Sequence, residues 1–118
     1  MDSVTRVVQG LEPYDVYRWA RELFEQRDYA AAARALAHLV QTHPNDADLG
    51  AARELLVRSY FHSAQLGRAV DAARDLLARQ PDNAYAAQLL VRALERSSRH
   101  DEAAAARRVA VALGAVDV

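Results

Sequence analysis

The chain has no cysteine, which excludes disulfides, thiolate nucleophiles and thiolate-held metals and fits a reducing compartment. It also has no lysine. All 15 basic residues are arginine, a bias that points to a genome rich in G and C and so to a bacterial source. Aromatic residues make up only 7% of the chain, while 26 of its 118 residues are alanine, so the core is expected to be close-packed helices rather than a thick aromatic interior. The four glycines, Gly10, Gly50, Gly67 and Gly114, are isolated, and no glycine loop is present to cradle a phosphate. No apolar run approaches the roughly 18 residues of a membrane span, and the start Met1-Asp2-Ser3-Val4-Thr5-Arg6 lacks a secretory pattern. A cytoplasmic location is therefore expected, with no membrane partner. The formal charge of −1 argues against nucleic acid, because phosphate neutralisation calls for a basic face. His38, His43, His62 and His100 are scattered, with no i, i+4 pair, so neither a metal site nor a catalytic base is expected. No enzyme activity and no cofactor are expected.

What the chain does have is self-similarity. Ala32, Ala69 and Ala103 stand 37 and 34 residues apart. Leu23, Tyr60 and Leu94 precede them by nine residues; Pro44, Pro81 and Ala115 follow by twelve. The frame holds within units and slips only between the first and second, where three extra residues lie near Asp46 to Gly50. A length of 118 residues allows one domain with a modest core.

Residues 1–12 read as a weakly structured leader, ending where Pro13 can occupy a first helical turn. Six helices are predicted near 13–26, 30–42, 46–63, 67–79, 83–97 and 101–114. The breaks between them are short, which makes neighbours antiparallel. Asp46, Asn83 and Asp101 are the expected N-caps, and Gly114 the left-handed residue closing the last helix. Ala32, Ala69 and Ala103 are expected where helices approach closely, with Leu36, Leu39, Ala73, Leu76 and Val111 on the inward face.

Helix pairs repeating at about 34 residues, with a small residue in the second helix and proline closing it, resemble the tetratricopeptide repeat (TPR) family. The first-helix pattern is met at Trp19, Ala20 and Leu23, at Leu56, Val57 and Tyr60, and at Leu90, Val91 and Leu94. The turn Arg27-Asp28-Tyr29 resembles the family's Gly-Asp-Tyr, and Pro44-Asn45-Asp46 and Pro81-Asp82-Asn83 resemble its link. Val16, Arg53 and Ala87 depart from it, standing where the family often has tryptophan; Arg107 replaces a large apolar residue, so the third unit looks terminal. The resemblance implies an all-α, right-handed superhelical solenoid of three antiparallel helix pairs, 13–46, 47–83 and 84–118, forming a single domain over 13–118.

It also implies a protein-interaction scaffold whose first helices line a concave groove. The residues it places there are Tyr17, Arg21, Phe24 and Glu25, then Glu54, Arg58, Phe61 and His62, then Tyr85, Gln88, Arg92, Glu95 and Arg96. Arg21, Arg58 and Arg92 recur at one height in each unit. Guanidiniums bind carboxylates bidentately, and Tyr17, Phe24, Phe61, Tyr85 and Gln88 flank them, so the expected ligand is an extended acidic peptide segment of another protein. The competing reading has Glu22, Glu25, Glu54 and Glu95 neutralising these arginines on a solvated face. Family members that hold a chaperone's C-terminal carboxylate use lysine and asparagine; Tyr17, Arg21, Leu55, Tyr85 and Leu89 occupy those places here, so that partner is not expected. The alternative function is a self-associating structural module, a homodimer through the C-terminal unit, whose last helix carries Val109, Val111 and Leu113.

Overall fold

The computed structural model describes residues 2–115. Seven α-helices are present among them, with no strand: α1 (Ser3–Val8), α2 (Pro13–Glu25), α3 (Tyr29–Thr42), α4 (Gly50–His62), α5 (Leu66–Arg79), α6 (Ala84–Arg96) and α7 (His100–Ala112). Helices α2 and α3, α4 and α5, and α6 and α7 form hairpins, joined in series by α3 on α4 and α5 on α6. The first helices α2, α4 and α6 touch one another only lightly. The body is elongated, 42 × 26 × 21 Å, as expected when each pair meets only its neighbours. The predicted third unit runs to residue 118, and its last three residues lie outside the described ones.

Small side chains set the closeness of these helices. Ala32 and Ala69 are fully buried and Ala103 nearly so, each on the second helix of its pair. Leu36, Leu76 and Leu94 supply the largest fully buried side chains. The buried residues divide into two main clusters that meet at α4, whose Leu55 and Leu56 face one and whose Val57 faces the other. Burial on two sides requires apolar residues around much of the helix, and Ser59 is tolerated there because its hydroxyl donates to the Leu55 carbonyl at 2.8 Å.

The three hairpins turn in the same way. Arg27, Ala64 and Ser98, one after each first helix, all adopt the left-handed conformation, with φ of 64°, 59° and 58°. In each case the next amide reaches back to close the helix: Asp28 to the Leu23 carbonyl, Gln65 to Tyr60 and Arg99 to Leu94, all at 2.9 Å. Gly114 closes α7 likewise with φ of 92°, as expected.

Several local expectations are corrected. The leader is not weakly structured throughout: Asp2 accepts from the Thr5 amide at 2.9 Å to start α1, and Val4 and Val8 bury against the first unit, where α1 packs on α3. The three inserted residues form a 3-10 turn, Ala47–Leu49; Asp46 caps that turn through the Asp48 amide, and α4 begins only at Gly50. Asn83 does cap α6, accepting from the Ala86 amide at 3.0 Å. Asp101 does not cap α7; Arg99 holds that position, and Asp101 lies within the first turn, where its charge still suits the helix dipole. Val111 is 60% exposed rather than inward. The column Leu39, Leu76 continues at Ala110, which is fully buried, so Val111 lies one residue off the packing face.

Candidate functional site

Helices α2, α4 and α6 carry all the residues expected to line a groove. Helix α2 presents Tyr17, Arg21 and Phe24, α4 presents Arg58, Phe61 and His62, and α6 presents Tyr85, Gln88, Arg92 and Arg96. Phe24, Phe61 and Gln88 are half-buried, while Tyr85 and Arg92 are exposed. Trp19, the first-unit counterpart of the buried Leu56 and Leu90, is only half-buried.

The three arginines are not equivalent. The Arg21 guanidinium lies 5.9 Å from the centre of Tyr17, on its own helix one turn back. Arg58 instead reaches the preceding unit and covers Phe24 at 4.8 Å. Arg92 would be the next member of that series, yet the guanidinium over Phe61 belongs to Arg96, at 5.2 Å. Arg92 has no ion pair or ring contact among the described residues. The repeating interaction is thus an arginine of one unit stacked on the phenylalanine of the unit before, an attraction between cation and ring face worth about 0.5–1 kcal/mol when exposed.

Among the described residues the expected counter-ions do not pair with these arginines. Glu95 alone of that set is in an ion pair among the described residues, held by Arg107 of α7 at 2.8 Å. That contact also explains Arg107, whose half-buried side chain replaces an apolar one by reaching back to α6. Among the described residues no ion pair involves Arg21, Arg58, Arg92 or Arg96.

A ring cluster lies at the end of the face where α2 and α4 finish. Tyr29, the first residue of α3, meets Phe24 edge-on at 4.9 Å and stacks on His62 at 4.9 Å. His62 also meets Phe24 at 5.6 Å and Phe61 at 5.7 Å, both edge-on. Partial burial, then Arg58, then Arg96, hold the imidazole below the usual histidine range. The sequence reading places His62 among the groove-lining residues but gives it no role, because the column Glu25, His62, Arg96 shows no constant residue; Tyr29 is visible only as part of the turn motif.

Elsewhere, Arg53 takes a structural role. Its guanidinium is buried and donates to the carbonyls of Pro44 and Asp46 at 3.0 and 3.1 Å. No group of three His, Cys, Asp or Glu that could hold a metal occurs among the described residues, and no helix there is long and apolar enough to cross a membrane.

No family model matches the chain, and no curated protein matches it. Solved structures do. One of MamA, in a mutant form, superposes with a TM-score of 0.80 at 16% identity, covering 93% of this chain and 80% of that one. The CopN-Scc3 complex gives 0.79 at 18% identity, covering 96% of this chain and 66% of its counterpart, just under two thirds of that protein's length. Both are helical repeat structures of tetratricopeptide type. The fold is TPR-like. At such identities the likeness establishes architecture, and any binding role must rest on this chain's own TPR-like face.

Proposed function

We propose that the chain is a protein-interaction adaptor that binds an extended acidic segment of a partner protein across α2, α4 and α6. The observation that carries this is a set of guanidiniums, Arg21, Arg58 and Arg96 on aromatic rings and Arg92 beside them on α6, with no carboxylate partner among the described residues. Unneutralised guanidiniums on rings are preorganised donors for carboxylates, and the rings offer apolar area to the segment between its charges. The CopN-Scc3 structure is itself an assembly of two proteins, which accords with such a role.

The test is fluorescence anisotropy with a labelled peptide of alternating glutamate and leucine. Binding should weaken roughly tenfold in Arg21→Gln/Arg58→Gln/Arg92→Gln, and in the wild type between about 50 and about 500 mM salt, because exposed charge pairs are screened. Binding by the triple variant equal to that of the wild type would remove Arg21, Arg58 and Arg92 from the site.

Self-association through α7 is the second reading, favoured by Val109 and Val111, which stand 51% and 60% exposed on the last helix. Stacked repeats usually have polar ends, and an apolar end attracts a cover.

A further inference from the structure

We infer that Arg58, His62 and Arg96 form one anion cradle across α4 and α6, and that His62 takes up a proton from solvent when an anion occupies it. This rests on the groove reading and specifies which part of the groove senses the ligand's charge.

The cradle is built by packing. His62 follows Arg58 by one turn at the end of α4, and its ring is held by Tyr29 from α3, Phe24 from α2 and Phe61 from α4 itself. The two phenylalanines in turn carry the guanidiniums, Arg58 over Phe24 and Arg96 over Phe61. The imidazole therefore shares its ring neighbours with two permanent cations, one from its own helix and one from α6. Other titratable groups of these elements are the Tyr29 phenol, stacked on the imidazole, Asp28, which caps α3, Glu95, held by Arg107, and Glu25, exposed at the end of α2; none of these carboxylates pairs with the three among the described residues.

Partial burial, and then the two like charges, disfavour a third charge, so the empty cradle holds the imidazole below the usual histidine range. An oxyanion seated on the two guanidiniums reverses the local potential, and an imidazolium then becomes a third charge-assisted donor. Linkage makes the effect reciprocal: an anion that raises the proton affinity of His62 binds more tightly as protons become available. The ligand chemistry is an anionic side chain carried by the acidic segment, gripped more firmly on the acid side of neutrality.

The first test uses sodium sulfate, which stays doubly charged between pH 5 and 8, with the His62 imidazole followed by NMR. Without sulfate, His62 should titrate below the usual histidine value. About 50 mM sulfate should raise its midpoint by roughly half a pH unit or more, beyond sodium chloride of equal ionic strength. Arg58→Gln/Arg96→Gln should raise the ligand-free midpoint and abolish the sulfate response. A sulfate effect no larger than that of chloride, or one retained in the double variant, overturns the cradle.

The second test measures the acidic peptide from about pH 7.5 to 5.5, where affinity should rise several-fold for the wild type and stay flat for His62→Gln. Peptide binding with the same pH slope in His62→Gln overturns the proton coupling and leaves the groove reading intact. Sulfate binding with no peptide binding at any pH leaves the cradle standing and overturns the groove.

Discussion

Arg27, Ala64 and Ser98 occupy the left-handed backbone region, which costs a residue with a Cβ roughly 1–2 kcal/mol relative to glycine. All three side chains are exposed, so removing them sacrifices no packing. Part of the gain is lost to the greater freedom of glycine in the unfolded chain. Arg27→Gly, Ala64→Gly and Ser98→Gly should each stabilise the fold by about 0.5–1 kcal/mol, read as a raised urea midpoint at constant slope. Gln26→Gly, one residue earlier at a negative φ of −80°, should destabilise, and a gain there equal to that at Arg27 would refute the conformational explanation. The turn itself is legible in the sequence, through Arg27-Asp28-Tyr29, but the strain is not: an arginine, an alanine and a serine share no chemistry that announces a positive φ. The same contrast runs through the site. The alanine column and the Asn83 and Gly114 caps follow from spacing and side-chain chemistry. The pairing of Phe61 with Arg96 rather than Arg92 depends on which arginine reaches back along the face, and a repeating column cannot show that.

The link between α3 and α4 shows how an element can depart from its repeat and still be held. The inserted 3-10 turn buries Leu49, and Arg53, one turn into α4, fastens the chain before it by donating to the Pro44 and Asp46 carbonyls. Arg79 from α5 donates to the same Pro44 carbonyl at 2.9 Å and to Asp75 at 3.1 Å, bringing the second helix of that unit to the link. Burial, followed by the neighbouring Arg79, lowers the Arg53 pKa, with Asp75 and Asp46 opposing; the guanidinium remains charged. Arg53→Ala removes two charge-assisted hydrogen bonds and the packing of the stem, and should cost about 3 kcal/mol in urea unfolding. Arg53→Met keeps most of the stem and should recover about a third to a half of that loss; full recovery would assign the role to packing alone. In the sequence Arg53 is visible only as a missing tryptophan, and nothing along the chain tells that its partners are carbonyls seven and nine residues back. Helix α1 is hidden for a related reason: six residues with two buried valines resemble a leader until their contact with α3 is known.

Across the whole molecule, contacts pass from each helix pair only to the next, so stability is distributed by position in the stack. Helix α4 packs into both main clusters and has neighbours on either side, whereas α7 packs chiefly on α6, with the Arg74–Glu102 ion pair to α5, and exposes Val109 and Val111. Val40 and Leu77, which precede Val111 by 71 and 34 residues in the repeat frame, are half-buried. Their counterpart Val111 has lost that cover. Amides that open only with the central units should exchange slowest, and those of an end helix fastest. Native-state hydrogen exchange should therefore rank α4 as the most protected helix and α7 well below it. The same measurement at two protein concentrations decides how the open end is used. A second copy seated on α7 would slow its exchange as concentration rises, by mass action on the folded form, and Val111→Glu would cancel the effect. Protection in α7 that does not change with concentration leaves the end bare, and the α2–α4–α6 face then stands as the surface on which a partner must be found.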